Sequence, residues 1–123
     1  MRKFNASARK VALHGVWSKV IRNRDRFICQ WCGRYENPGN AHHIVPKGVC
    51  GNAGRFELEN GMHLCVNCHR NRLPTDPDGY IKFRDEYLKQ KNLNYFDMRA
   101  RYNECKGLKF NEDFYNQKLG GLK

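Results

Sequence analysis

The sequence predicts an α+β fold: a small, metal-stapled core of two strands and a short helix, with one helix before it and several after it. Three observations predict this. Two Cys-x-x-Cys pairs, Cys29/Cys32 and Cys65/Cys68, stand in one short chain. Two short apolar runs lie between them, at residues 41–45 and 58–64. Helical periodicity is confined to the flanks. With 123 residues the chain holds one compact domain, small enough that a staple helps it stay folded. Residues 1–26 read as a basic helical lead-in, 27–73 as the core and 74–123 as a helical annex.

The elements follow in order. Residues 7–24 read as a helix capped by Ser7, with Leu13, Trp17, Val20 and Ile21 on one apolar face. Trp17 is expected in the core rather than stacked on a ligand. Gly33 supplies the left-handed backbone that a cysteine knuckle needs. Residues 41–45 form a strand stopped by Pro46. Gly48, Gly51 and Gly54 make residues 47–57 a loop, and residues 58–64 return as a second strand. A short helix starts near Cys65 and is expected to end before Pro74. Asp78-Gly79 reads as a turn, followed by helices to about Asn92, over 95–104 and near 111–119. The annex carries no chemical motif.

Net charge is +11, from 23 basic and 12 acidic residues. Residues 1–35 hold nine basic residues and one acid, residues 36–69 two and three, and residues 70–123 twelve and eight. Basic flanks around a nearly neutral Cys/His centre suit a polyanion presented to that centre. No apolar run approaches the roughly 20 residues of a membrane span, and none follows the basic start as in a secretory signal. A cytoplasmic location without membrane contact is the expectation. Cysteines paired as knuckles argue for a metal in a reducing compartment rather than for disulfides.

Four thiolates satisfy tetrahedral Zn²⁺, so the ion held by Cys29, Cys32, Cys65 and Cys68 is expected to be structural. Cys50 and Cys105 read as free thiols, and the sequence leaves a disulfide between them open. His42 and His43 are neighbours on a strand and so face opposite sides, one able to bind a metal and the other to address substrate. His69 is oriented by the adjacent Cys68. A neutral imidazole can deprotonate water, and a site with two protein ligands leaves positions for phosphate oxygens. His14 and His63 read as structural, with a phosphate contact left open for His63.

Cys29–Cys32, the run Ala41-His42-His43-Ile44-Val45-Pro46, the run from Leu58 through Asn60 to Cys65, and Cys68-His69 together resemble the HNH endonuclease (ββα-metal) family, in its small phage and bacterial type with four cysteines. The resemblance covers about half the chain. It implies a metal-dependent endonuclease that hydrolyses DNA phosphodiester bonds by nicking or double-strand cleavage. It implies His43 as general base, Asn60 as the residue that ties the site together, His42 and His69 as ligands of a catalytic divalent ion, and the four cysteines as zinc ligands. His42 stands where the family often has Asp, so Ni²⁺ or Zn²⁺ suit the second site as well as Mg²⁺ or Mn²⁺. Arg70, Arg72, Lys47, Arg24 and Arg26 are the candidates for DNA phosphate contact, with solvent exposure as the alternative for Arg70 and Arg72. A phage packaging, recombination or homing role, with a protein partner or a homodimer, in a bacterial or phage-infected host, is the expected setting. The alternative is a non-catalytic zinc module that binds nucleic acid.

Overall fold

A computed structural model describes residues 3–123. The fold is α+β, mostly helical, with one two-stranded antiparallel sheet. Helix α1 spans Ala6–Arg24. Its cap is Asn5 rather than Ser7: the extended Asn5 accepts from the Ala8 N–H through Oδ1 at 3.1 Å, which places Ser7 inside the first turn. Leu13, Trp17 and Ile21 are fully buried, as the helical spacing requires, while Val20 is half-buried.

Strand β1, Asn40–His43, pairs with β2, Gly61–Leu64, and His43 lies opposite Gly61. A side chain at 61 would meet the Trp17 ring at 2.6 Å and Ile21 at 2.7 Å. Glycine there lets α1 lie directly on the hairpin.

The expected loop after β1 is instead a helix. Helix α2, Lys47–Arg55, consists of two short turns joined at Gly51, whose φ of +55° breaks the helical path. The glycines permit this kink and a close approach: a Cβ on Gly54 would stand 2.6 Å from the Tyr102 ring of the annex. Leu58–Asn60 forms one 3-10 turn before β2.

Beyond β2 the chain enters a widened π-helical turn, Cys68–Arg72, which runs into α3, Leu73–Thr75. Leu73 donates to the Cys68 carbonyl, five residues back. Pro74 therefore does not end the helix as expected. It stands in the first turn of α3, directly after the widened turn, where the N–H it lacks is least needed. Helix α4 spans Pro77–Gln90, with Asp76 accepting from Gly79 N–H at 3.0 Å and proline in the first turn. Asp78-Gly79 is thus the start of a helix and not a turn. Helices α5, Tyr95–Glu104, and α6, Glu112–Leu122, complete the annex. Helix α6 continues through Gly120-Gly121, past the end expected near residue 119.

Two clusters form the core. Cys29, Cys50, Cys65, Cys68, Ile44, Val45, Met62, Leu64, Leu88, Met98 and Tyr102 belong to one; Leu13, Trp17, Ile21, Phe56, Phe114 and Leu122 make the other. The annex closes the core on both sides, with α5 against α2 and α6 against α1. No described helix is long and apolar enough to cross a membrane.

Candidate metal centre and histidine cleft

The four cysteines come together from two turns. Gly33, with φ +80°, closes the first knuckle and donates to the Cys29 carbonyl at 2.8 Å. The backbone N–H of Cys32 points at Cys29 Sγ (3.5 Å) and that of Cys68 at Cys65 Sγ (3.3 Å). The two knuckles are tied to each other: Gln30 N–H donates to the His63 carbonyl at 2.9 Å, and Val66 N–H to Glu36 at 2.6 Å.

All four sulfurs lie within 4.8 Å of one another, and Cys32 Sγ is 3.7 Å from Cys65 Sγ. Bonds of about 2.3 Å in a tetrahedron place sulfurs roughly 3.8 Å apart, so the donor set fits a metal ion such as zinc. Burial, then the neighbouring Cys65 and Cys32 thiols, push the Cys68 thiol above its ordinary range. Thiolates this close repel one another unless a cation sits among them.

One turn further along, the backbone opens a separate cleft of about 280 Å³, lined by His14, His42, His43 and His69 with Lys47 at its rim. His43 is nearly buried and lies flat on Trp17, the ring centroids 4.1 Å apart and the planes 10° from parallel. Its Nε2 is 2.8 Å from the Arg55 carbonyl. A carbonyl only accepts, so Nε2 carries the proton and Nδ1 holds the lone pair. Burial first, then the charges of Lys47 and Arg55 and the His14 ring, outweigh that hydrogen bond and push the His43 pKa down to about 4. His43 is therefore neutral at pH 7.

His42 turns the other way, as alternation along a strand requires. Its ring is 5.5 Å from that of His69, and its Nε2 is 2.7 Å from the Tyr80 hydroxyl of α4. That contact occupies Nε2 and leaves Nδ1 for a ligand. Burial, then the proximity of His69 and His43, hold its pKa down to about 3. Among the described residues, the four cysteines are the one group of three or more ligating side chains whose donor atoms converge. The histidines thus offer at most a pair to any one ion. Residues lining the cleft include no carboxylate.

Asn60 is sealed inside, and its side chain ties together backbone groups of two segments. Its Oδ1 accepts from Val45 N–H at 2.7 Å, and its Nδ2 donates to the carbonyls of Val45 (3.1 Å) and Gly54 (3.0 Å). Its own carbonyl accepts from Ile44 N–H at 3.0 Å. It fixes the backbone beside His43 and positions that ring without reaching the cleft.

Of the arginines expected at phosphate, Arg24 is exposed but already has partners within the fold. Its guanidinium donates to Asp25 (2.9 Å) and to the carbonyls of Leu58 (2.8 Å) and Gly61 (2.7 Å), so it pins α1 to the hairpin. Lys47, Arg26 and Arg70 are exposed. Arg72 is exposed too, its guanidinium 4.1 Å over the Trp31 ring of the first knuckle. His63 is buried, with Nε2 donating to the Glu36 carbonyl at 2.9 Å, and reaches no ligand. Cys50 is buried, Cys105 exposed, and both are free thiols.

One cleft residue, His14, and one that contacts the cleft's His42, Tyr80, escape sequence reasoning. His14 sits three positions before Trp17, one turn along the same helix, which was the available signal. Tyr80 offered only helical apolar spacing, and nothing local showed that its hydroxyl reaches His42.

Fold and centre together define a small α+β protein with a four-cysteine cluster able to hold a metal ion. Comparison with known proteins finds a relative named anaredoxin, from Nostoc sp. (strain PCC 7120 / SAG 25.82 / UTEX 2576), 30% identical over 56 residues, which span 46% of this chain and 70% of that protein. The chain belongs to the family of that protein. No family model and no solved structure matches it.

Proposed function

We propose that this protein is a metal-dependent DNA endonuclease of the HNH type, with β1, β2 and the helical segment after Cys65 as its ββα-metal core. The observation that carries the reading is the state of His43: a neutral ring, its Nε2–H committed to the Arg55 carbonyl, its Nδ1 left as acceptor beside the His42/His69 pair. That is the arrangement a general base needs.

In this reading His43 Nδ1 takes a proton from water as the water oxygen forms its bond to phosphorus. The bond from phosphorus to the 3′ oxygen breaks, and the proton count closes when the 3′ oxygen is protonated from solvent. Products are a 5′ phosphate and a 3′ hydroxyl. His42 through Nδ1 and His69 are the residues to hold a divalent ion, Mg²⁺ or Mn²⁺ with Ni²⁺ or Zn²⁺ as other candidates; such an ion supplies charge stabilisation at the phosphate and the leaving oxygen. Trp17 and Asn60 keep the base in register. Lys47, Arg70, Arg72 and Arg26 approach phosphates of the duplex, without base-specific readout. The cysteine cage holds zinc as a structural ion and fixes where His69 points. One His43 cuts one strand per encounter, so double-strand cleavage needs a second copy or a second encounter. Phage packaging or recombination machinery is the partner class that suits so small a nuclease.

A second reading comes from the cage and from the relative's name, which ends as names of redox proteins do: four thiolates also take iron, giving an electron-transfer centre. It leaves the histidine cleft without a use. A nucleic-acid-binding zinc module leaves the oriented His43 equally unused. The experiment is nicking of supercoiled plasmid with Mg²⁺, Mn²⁺, Ni²⁺ or EDTA, with His43→Ala alongside and the cage metal quantified. Ion-dependent nicking that disappears in a zinc-loaded His43→Ala supports the nuclease. Iron in the cage with reversible reduction and no nicking would establish the redox reading, and tight DNA binding without nicking the binding module.

A further inference from the structure

We propose that His14 is a substrate-contacting residue of the cleft, donating a hydrogen bond from Nε2–H to a phosphate oxygen of bound nucleic acid. The inference deepens the nuclease reading and rests on it for the identity of the phosphate's carrier. His14 reaches the cleft from α1, outside the strand–strand–helix core, and its ring lies 5.6 Å from that of His43 with the planes 24° apart. Its Nδ1 is buried with no hydrogen-bond partner among the described residues. A buried N–H with no acceptor is rarer and more destabilising than a buried lone pair, so the ring proton belongs on Nε2, the nitrogen left to the cleft.

The two near-parallel rings thus hold the same Nε2–H tautomer turned in opposite senses. His43 has its proton locked inward and presents a lone pair; His14 has its lone pair locked inward and presents a proton. One is suited to receive a proton from water, the other to hold the oxygen of the group that water attacks.

The surroundings favour an anion. Lys47 shares the cleft, and the buried Nε of Arg55, the residue whose carbonyl orients His43, also lacks a partner among the described residues. Burial first, then Lys47 and Arg55, hold His14 below the ordinary histidine range, so it stays a neutral donor and not a second cation. It is not a third metal ligand: no three histidine nitrogens converge among the described residues, and a protonated Nε2 cannot coordinate.

The test uses zinc-loaded protein without added divalent ion, titrated with inorganic phosphate while the histidine ring ¹H–¹⁵N signals are followed. A saturable shift of the His14 Nε2–H signal is expected. His14→Phe keeps a ring against His43 and Trp17 but removes the donor, and weakens phosphate binding about tenfold. His14→Gln, whose amide nitrogen reaches the place of Nε2, stays within about threefold of wild type. Mn²⁺ affinity is unchanged in both. Phosphate binding unaffected by His14→Phe, or Mn²⁺ affinity lost with it, overturns the assignment. Plasmid nicking separates the two readings. A wild type that nicks, with a His14→Phe variant of unchanged KM, sinks His14 alone. A wild type that never nicks yet binds phosphate through His14 sinks the nuclease and leaves the anion site.

Discussion

Replacing Asn60 by alanine removes the one side chain that satisfies both polar groups of Val45. Val45 N–H loses its acceptor at 2.7 Å and the Val45 carbonyl its donor at 3.1 Å. The Gly54 carbonyl keeps Glu57 N–H at 3.3 Å and is not orphaned. Two buried backbone groups left unpaired cost roughly 1–3 kcal/mol each, so the variant should lose roughly 2–6 kcal/mol. Small domains hold about 5–15 kcal/mol in all, and urea slopes near 1–3 kcal/mol per molar turn the loss into a midpoint lowered by about 2 M. The assay is urea unfolding at saturating zinc, read by the fluorescence of buried Trp17, which stacks on His43. Asn60→Asp sharpens the test. It matches the shape of asparagine but aims a carboxylate oxygen at two carbonyls in a dry interior. Its folded pKa must rise above the unfolded value of about 3.9, so it destabilises at pH 7 and recovers as the pH falls through the raised value. An alanine variant within about 1 kcal/mol of wild type, or an aspartate variant as stable as wild type at pH 7, would refute the account of Asn60 as the tie beside His43.

Three further outcomes follow from the same geometry. Tyr80→Phe removes the 2.7 Å contact to His42 and should weaken binding of the proposed second divalent ion by about tenfold while cage zinc is retained; calorimetry showing equal affinity would count against Tyr80 as a positioning residue. Cys65→Ser opens the cage in the middle of a core cluster, so bound zinc and most helical circular dichroism should be lost together, and a zinc-free variant with a native spectrum would contradict this. His43 has a folded pKa near 4 against about 6.5 unfolded, so its contribution to stability is complete above pH 6.5 and is lost as pH falls towards 4. His43→Phe should therefore show a flatter fall in melting temperature between pH 6.5 and 5 than wild type, and parallel curves would exclude the burial argument.

Elements whose stabilisation is local were readable from the chain. The helix over α1 follows from the spacing of Leu13, Trp17 and Ile21, and the cysteine knuckles follow from two-residue gaps and Gly33. Those held by distant contacts were not. Three glycines made residues 47–57 look like a loop, yet the close packing of Gly54 on Tyr102 stabilises α2 from a helix nearly fifty positions away. Arg24 reads from the chain as a candidate for phosphate, because nothing in its neighbourhood announces the Leu58 and Gly61 carbonyls. Within the cleft, His42, His43 and His69 share a short motif and were found together. His14 and Tyr80 come from helices on either side of it and are joined to it only by folding.

The widened turn at Cys68–Arg72 makes the chain intolerant of length change where it seems simplest. Its one surplus residue lies between His69, which faces the cleft, and Arg72, which lies on Trp31. Deleting a residue there would restore an ordinary helix and leave Cys68 and His69 in place. Everything beyond would swing by about 100° around the axis and shift by about 1.5 Å along it. The Trp31 stack and the Tyr80 hydroxyl would then point elsewhere. At this turn a gain or loss of one residue must be compensated on the other side in the same step. The spacing between cysteine knuckle and annex is therefore expected to be inherited as a unit.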